Sequence, residues 1–505
     1  MIFIISAGFN ISHKLNNLTE VIPVSGGTYR EGMIGQPVFI NPVIAKNQID
    51  LDISSLIYPK LEVLLENLEA SDNGRSYLLT LKQGLIWTNE EKLTSDDVIY
   101  TINLIQDPQL HSPFFENWQG VIAQRNSEIQ IKLILSSPYA FFDKQIKNLF
   151  IIPKFIFGHL PPENLRLSDY NLKPIGAGPY IFKSLSKRKD GFITEYRLSL
   201  NKKYAGDKPF IKNFYFKFYE NKNDLLKDFK WRQIDGFGSL EPLEIFSQQM
   251  KKTQTFLLPM PRYYAIFLNN LHPLLSQKLF REALNKAIDK EKIVSEIFQN
   301  QAQKINGPFI DLKDESSTND FDPAAAKEIL AHFNLSSELN LVVPKIDFLL
   351  KTAAMVKNNW EAVGLKINLI ELEPSDVFNQ VIKSRQYEMI LFGNVLNNSE
   401  DLFPFWHSSE RFYPGLNLSL YSNSQLDTLL ENLRQNQENK TRLEQMKQIK
   451  DLIEKETPAI FLFSLPYFYI QNKEVKGQHF SQISWPFERF SDISHWYFKT
   501  ARVFK

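Results

Sequence analysis

The chain has 505 residues, about two to four domains' worth, with 43% hydrophobic and 23% charged residues, the balance of a globular protein with sizeable cores. Lys plus Arg (58) nearly cancels Asp plus Glu (57), and a net charge of +1 argues against a protein whose main partner is a nucleic-acid backbone. There is no cysteine, which excludes disulfides, thiolate metal sites, cysteine nucleophiles and iron–sulfur clusters.

The chain opens on nine apolar residues, MIFIISAGF, followed by a polar stretch. A spanning helix takes about 20 apolar residues and a signal-peptide core roughly 7–15 behind basic residues, so this segment fits neither. The expectation is that residues 1–21 hold the C-terminal end of a membrane anchor. A short buried strand is the alternative. Pro23 to Val43 is punctuated by Gly and Pro and is β-prone. SYLLTLKQGLIWT alternates as a strand does and turns at Gly84, and TSDDVIYTINLI then sets Thr94 three residues before Asp97. That spacing predicts a capping box opening an amphipathic helix on Val98, Ile99, Ile102 and Ile105.

Ser127–Leu135 alternates as another strand, and the GAGPY turn leads into a hairpin. In KPFIKNFYFKFYEN, Phe214, Phe216 and Phe218 fall on one face of a strand, and NDLLKDFKWRQID reads as helix. Phe280 to Phe298 reads as one amphipathic helix, and Asp322 followed by Pro323 starts another. LNLVVP, a helix from about Phe348 to Val363, Gly364 and LKINLIELE make a βαβ unit, with YEMILFG as the next strand. Two helices and a buried strand follow, ending in an aromatic tail, RFSDISHWYFK, expected to be packed. Strands alternating with helices throughout predict a mixed α/β protein.

Motifs for chemistry are missing. GAGPY lacks the Lys-Ser/Thr of a phosphate cradle and reads as a tight turn. The eight His make no HExxH or HxH spacing, so no metal and no cofactor is expected. No GxSxG elbow occurs, and an enzyme is not expected. Forty Phe and 19 Tyr exceed what cores need and leave room for an aromatic-lined cleft.

Seven stretches in order carry a resemblance: GGTYREGMIGQPVFINP, GLIWTNEEKLTSDDVIYTI, GAGPYIF, LFREALNKAIDKEKIV, FDPAAAKEIL, WEAVGLKINLIELE and YSNSQLDTLLE. From about Gly26 to Phe480 the chain resembles the extracellular solute-binding proteins of family 5, the oligopeptide- and dipeptide-binding components of ABC importers. The resemblance implies a two-lobed α/β fold of the periplasmic-binding-protein kind (type II, three-domain cluster) with a hinged interlobe cleft. Lobe I would combine a sheet domain of residues 22–60, 175–265 and 480–505 with an inserted domain of residues 61–174. Lobe II would span 266–479. It further implies a monomer outside the cytoplasm, in the periplasm or at the outer membrane face, handing a short peptide or similar small solute to a membrane permease. A ligand sensor on the same fold, or a binder of a non-peptide solute, is the alternative.

The resemblance also places ligand contacts. The loop Ala45, Lys46, Asn47, Gln48 matches a segment whose backbone pairs with an extended peptide, though it equally leads into a helix. In Leu391–Ser409, Asn394 stands where the family has a tryptophan. Asn397 stands where peptide binders carry the aspartate that pairs with the α-ammonium, with Asn398 beside it. An Asn accepts a hydrogen bond worth about 1 kcal/mol where a carboxylate's is worth roughly 1.5–3, so dependence on a free N-terminus should be weaker. Glu400 or Asp401 could substitute if the loop shifts. Trp406 either stacks on ligand or, with Phe403 and Phe405, anchors the loop. Tyr263 and Tyr264, on a crossing strand, either face the cleft or pack the hinge.

Overall fold

The computed structural model describes residues 19–242, 253–310, 321–335, 337–396 and 400–504. The apolar start falls outside them. Three sheets organise the chain. The largest has seven strands in the spatial order Thr253–Leu258, Tyr467–Asn472, Gly236–Ser239, Thr28–Ile34, Asn213–Tyr219, Ile193–Leu200 and Tyr180–Lys187. Its alternation is the one read from sequence: Phe214, Phe216 and Phe218 are buried, and Phe490 packs edge-on against Phe214 at 5.3 Å. The C-terminal aromatic tail is packed here, with Trp496 buried against Tyr29.

A four-stranded antiparallel sheet, Leu65–Ser71, Ser76–Leu81, Gln130–Ile134 and Ile122–Arg125, lies within residues 61–174. The helix Ser95–Ile105 packs on it behind the expected box: Thr94 accepts from the Asp96 N–H, and the Asp97 carboxylate accepts from the Thr94 N–H at 2.9 Å. Trp87 is fully buried in the preceding turn.

The six-stranded sheet runs Gln303–Lys304, Ala459–Ser464, Arg262–Leu268, Met389–Val395, Leu339–Pro344 and Ile367–Leu372. Leu339–Pro344 and Ile367–Leu372 are parallel and joined by the helix Asp347–Ala362, which ends before Gly364 at φ +98°, a left-handed conformation that glycine tolerates. This is the βαβ unit expected. The single helix expected over Phe280–Phe298 is two, Lys278–Lys286 and Lys290–Phe298. Asp289 divides them by accepting from the Lys292 N–H, a local cap that outweighs the continuous apolar period.

Two short crossings join the seven- and six-stranded sheets, from Leu258 to Arg262 and from Ser464 to Tyr467. Pro259, Pro261 and Pro466 stand in them, and a proline, having no N–H, cannot extend a ladder. The boundaries at 265/266 and 479/480 read from sequence therefore fall inside Arg262–Leu268 and beyond Tyr467–Asn472. The run AIFLFSLPYFYIQ, expected as one strand, is two strands in different sheets. A separate ribbon pairs Thr19–Val24 with Lys499–Phe504. No helix among the described residues is long and apolar enough to cross a membrane.

Candidate functional site

Arg262 stands first in a strand otherwise made of Tyr, Ala, Ile, Phe and Leu, and it is almost fully buried. A buried guanidinium needs partners. It finds three carbonyls on two segments: Leu465 at 2.8 Å and Pro466 at 2.6 Å on the return crossing, and Leu240 at 2.7 Å. The Ser464 hydroxyl closes the set by donating to the Arg262 carbonyl at 2.7 Å. Both crossings are thereby clamped to the end of the strand Gly236–Ser239. Arg262 had no place in the sequence reading, although an arginine opening an apolar strand was its visible signal.

The predicted residues fall on either side of this clamp. On the seven-stranded side, the helix begins at Gln48, so the stretch read as a loop is shorter than expected. Asn47 is its cap, accepting from the Asp50 N–H at 2.8 Å and donating to the Asp50 carboxylate at 2.6 Å. The Ala45 N–H is already bonded to the Asn41 carbonyl, and Ala45 is buried. Lys46 and Asn47 are exposed, and among the described residues no hydrogen bond reaches the Lys46 backbone. Gln48 reaches the return crossing, donating to the Tyr467 hydroxyl at 2.9 Å.

Behind Gln48 lies a buried ion network. Arg489 bonds Glu31 at 2.8 Å and Asp52 at 2.6 Å, all three sealed from solvent. The Tyr469 hydroxyl donates to Glu31 at 3.0 Å and stands 2.6 Å from that of Tyr29. The Arg489 guanidinium lies 4.0 Å from the Phe490 ring centre. Two carboxylates share one guanidinium here. Burial pushes Asp52 up to about 6 despite the attraction of Arg489, and the neighbouring Glu31 charge adds to the rise. Gly236 and Gly238 face the same hydroxyls: a Cβ at either would stand 2.1 Å from the Tyr29 oxygen or 1.9 Å from the Tyr467 oxygen.

On the six-stranded side, the pairing of Arg262–Leu268 with Met389–Val395 sets Tyr263 opposite Asn394. The Asn394 amide donates to the Tyr263 hydroxyl at 3.0 Å, and both residues are buried. Burial raises the Tyr263 hydroxyl above its ordinary pKa. Trp406 is buried with them, 5.6 Å from Phe461 and 6.4 Å from Phe267. Tyr263, Asn394 and Trp406 are thus buried between the strands Arg262–Leu268 and Met389–Val395 and the helix Phe403–Trp406, and in this conformation none opens to solvent. Tyr264 stacks on Phe463 at 5.2 Å, its ring over Gly393, where a Cβ would stand 2.7 Å from it. Asn397 and Asn398 lie outside the described residues.

Neither neighbouring carboxylate is uncommitted. Asp401 accepts from Arg434 Nε at 2.9 and 3.1 Å, from the Tyr139 hydroxyl at 2.8 Å and from the Phe403 N–H at 3.2 Å. Glu400 stands 3.7 Å from Arg442. Among the described residues no group of three His, Asp or Glu could hold a metal ion.

The sequence profile of the bacterial extracellular solute-binding proteins, family 5 Middle, matches residues 61–412. The oligopeptide-binding protein AppA of Bacillus subtilis is 24% identical over 481 residues, 87% of each chain. The dipeptide-binding protein of Escherichia coli is 22% identical over 512 residues, 89% of this chain and 93% of that one. Among solved structures, the ABC transporter substrate-binding protein CtaP of Listeria monocytogenes superposes with a TM-score of 0.82 at 25% identity, covering 94% and 99% of the two chains. AppA of Bacillus subtilis in complex with a nonapeptide superposes at 0.75 and 21% identity, covering 94% and 99%.

Proposed function

The chain belongs to the bacterial extracellular solute-binding proteins of family 5, and on that premise we propose that it captures short extended peptides between its lobes and passes them to an ABC importer. The observation that carries this is the clamped pair of crossings. Two lobes whose sheets are connected by the crossings Leu258–Arg262 and Ser464–Tyr467 form a hinge, and hinge closure is driven by the excess affinity of the closed form for ligand. The relatives named for oligopeptides and dipeptides support the ligand class. The protein works outside the cytoplasm, with permease subunits as partners, as a monomer and without catalysis. Tethering by the N-terminal apolar segment belongs to the same proposal.

The contacts we assign are the Lys46 and Asn47 backbone on the seven-stranded side and Asn397 and Asn398 on the other. Ala45 and Gln48 flank the first, and Tyr263, Asn394 and Trp406 form a buried group beside the strand that leads to the second. With Asn397 in the position of an acidic reader, and the neighbouring Asp401 and Glu400 engaged with Arg434 and Arg442, neither of these two carboxylates is left over for an α-ammonium. Peptides with acetylated and free N-termini should therefore bind within about threefold of each other, since a lost charge-assisted bond would cost about tenfold or more.

Native mass spectrometry of protein purified without denaturation tests the reading first. A spread of added masses at peptide values is expected. One sharp non-peptide mass overturns the ligand class. Calorimetry with an N-acetylated and a free peptide of the same sequence then tests the N-terminus, and a tenfold preference for the free form sinks that part.

A further inference from the structure

Residues 61–174 touch the other lobe far from the hinge. The segment Tyr139–Phe141 leaves the four-stranded domain and is received by the helix Ser424–Gln435 and its surroundings. The Ala140 N–H donates to the Arg434 carbonyl at 2.6 Å. Phe141 is buried among the side chains of the far lobe, with the Arg442 guanidinium 5.5 Å from its ring centre. Tyr139 donates to Asp401 at 2.8 Å, while Arg434 grips the same carboxylate and lies 4.0 Å from the ring centre of Phe403.

We infer that Tyr139 and Phe141 are positioning residues for ligand capture: they clasp Asp401 and Arg434 across the lobes and so hold the hinge closed over bound ligand. Three features carry this. The clasp joins parts of the chain separated by 262 residues, so hinge opening must break it. Its chemistry is reversible, being two polar contacts, two cation–π faces and one aromatic ring rather than a wide apolar seam. Asp401 receives one donor from its own lobe's helix and another from the opposite lobe, so in the open form it keeps only the first. A residue that touches no ligand can thus set affinity through the population of the binding-competent form. The part concerning ligand rests on the peptide-capture reading; the clasp itself does not.

The absence of cysteine gives a clean test. Spin labels at Lys144→Cys and Lys440→Cys, both exposed and on opposite lobes, report the separation by pulsed electron resonance. Ligand-free protein should show a short-separation population. Tyr139→Phe and Asp401→Asn should each lower the ratio of short to long separations about tenfold, equivalent to 1.4 kcal/mol, while Lys132→Ala leaves it unchanged. Distributions in both variants that coincide with the parent overturn the clasp, as does a parent with only the long separation. For an alanine–serine nonapeptide as probe, Tyr139→Phe should speed dissociation about tenfold and leave the association rate unchanged. An equal fall in association with no change in dissociation overturns the positioning role. If no variant, parent included, holds the nonapeptide yet the separations shift, the clasp stands and the peptide reading falls.

Discussion

Two arginines in this molecule hold the same kind of partners and serve opposite ends. Arg489 and Arg434 each grip a carboxylate, each has tyrosine nearby, and each lies 4.0 Å from a phenylalanine ring centre. Arg489, Glu31 and Asp52 are sealed inside the seven-stranded lobe, whereas Arg434 keeps 29% of its side-chain exposure and its set spans both lobes. Burial separates their roles. A sealed charge cannot lose its partner without being stranded in a low-dielectric interior, so the first set is a permanent cornerstone. In the second set the ion pair lies within one lobe and only the Tyr139 hydroxyl reaches Asp401 from the other, so that contact can open and close while the pair stays.

Arg489→Ala should break this contrast most severely. Stranding Glu31 and Asp52 should cost about 3–5 kcal/mol of unfolding free energy, read as a fall in the urea midpoint, with the interlobe separation of the remaining folded protein unchanged. A loss under about 1 kcal/mol would show that the network is not a cornerstone.

Asp52 gives the next largest effect, through pH. Its folded-state pKa of about 6 lies above the ordinary carboxyl value of 3.8, so between these values the folded chain keeps a proton that the unfolded chain has released. The stability this proton contributes is complete below about pH 4 and falls by up to about 3 kcal/mol as pH rises to about 6. Asp52→Asn should remove that slope. The wild-type minus variant difference in unfolding free energy, followed from pH 4 to 7, is the measurement, and a flat difference refutes it.

Arg262→Lys sharpens the comparison from the hinge. One ammonium cannot reproduce a planar fork over three carbonyls, so roughly 1–3 kcal/mol of stability should go, with wider scatter in lobe separation. A stability unchanged within error would mean the crossings need no clamp. The smallest effect is ionic strength. Raising salt to about 1 M should weaken the partly exposed Arg434–Asp401 pair, read as a smaller loss of unfolding free energy in Arg434→Gln, with no matching change in Arg489→Ala. Equal sensitivity of the two would erase the distinction.

Local chemistry made much of this architecture legible in the sequence. Thr94 with Asp97 and Asp322 with Pro323 mark helix starts, Gly364 marks an end, and the Phe214–Phe218 alternation names its own buried face. Reading failed where a short-range rule met a longer-range one. Asp289 capped a helix that the apolar period would have continued, and Pro466 turned one apolar run into strands of two sheets. In the candidate site, the order of segments pointed to residues 391–409, but not to which side chains face out. Tyr263, Asn394 and Trp406 came together as a buried group because pairing register, which composition does not reveal, set Tyr263 opposite Asn394. The clasp was less visible still. Nothing near Tyr139 in the chain announces Asp401, and only the folded path brings them together.

The strand Tyr467–Asn472 lies between Thr253–Leu258 and Gly236–Ser239, inside a sheet whose other strands were all made more than 200 residues earlier. During synthesis, that sheet lacks the strand next to its edge until residue 472 has emerged, and Glu31 waits longer still for Arg489. Such distant pairing is slow to nucleate. The first lobe cannot lock before the last part of the message has been translated, so a chain bound for the far side of a membrane stays threadable for nearly all of its synthesis.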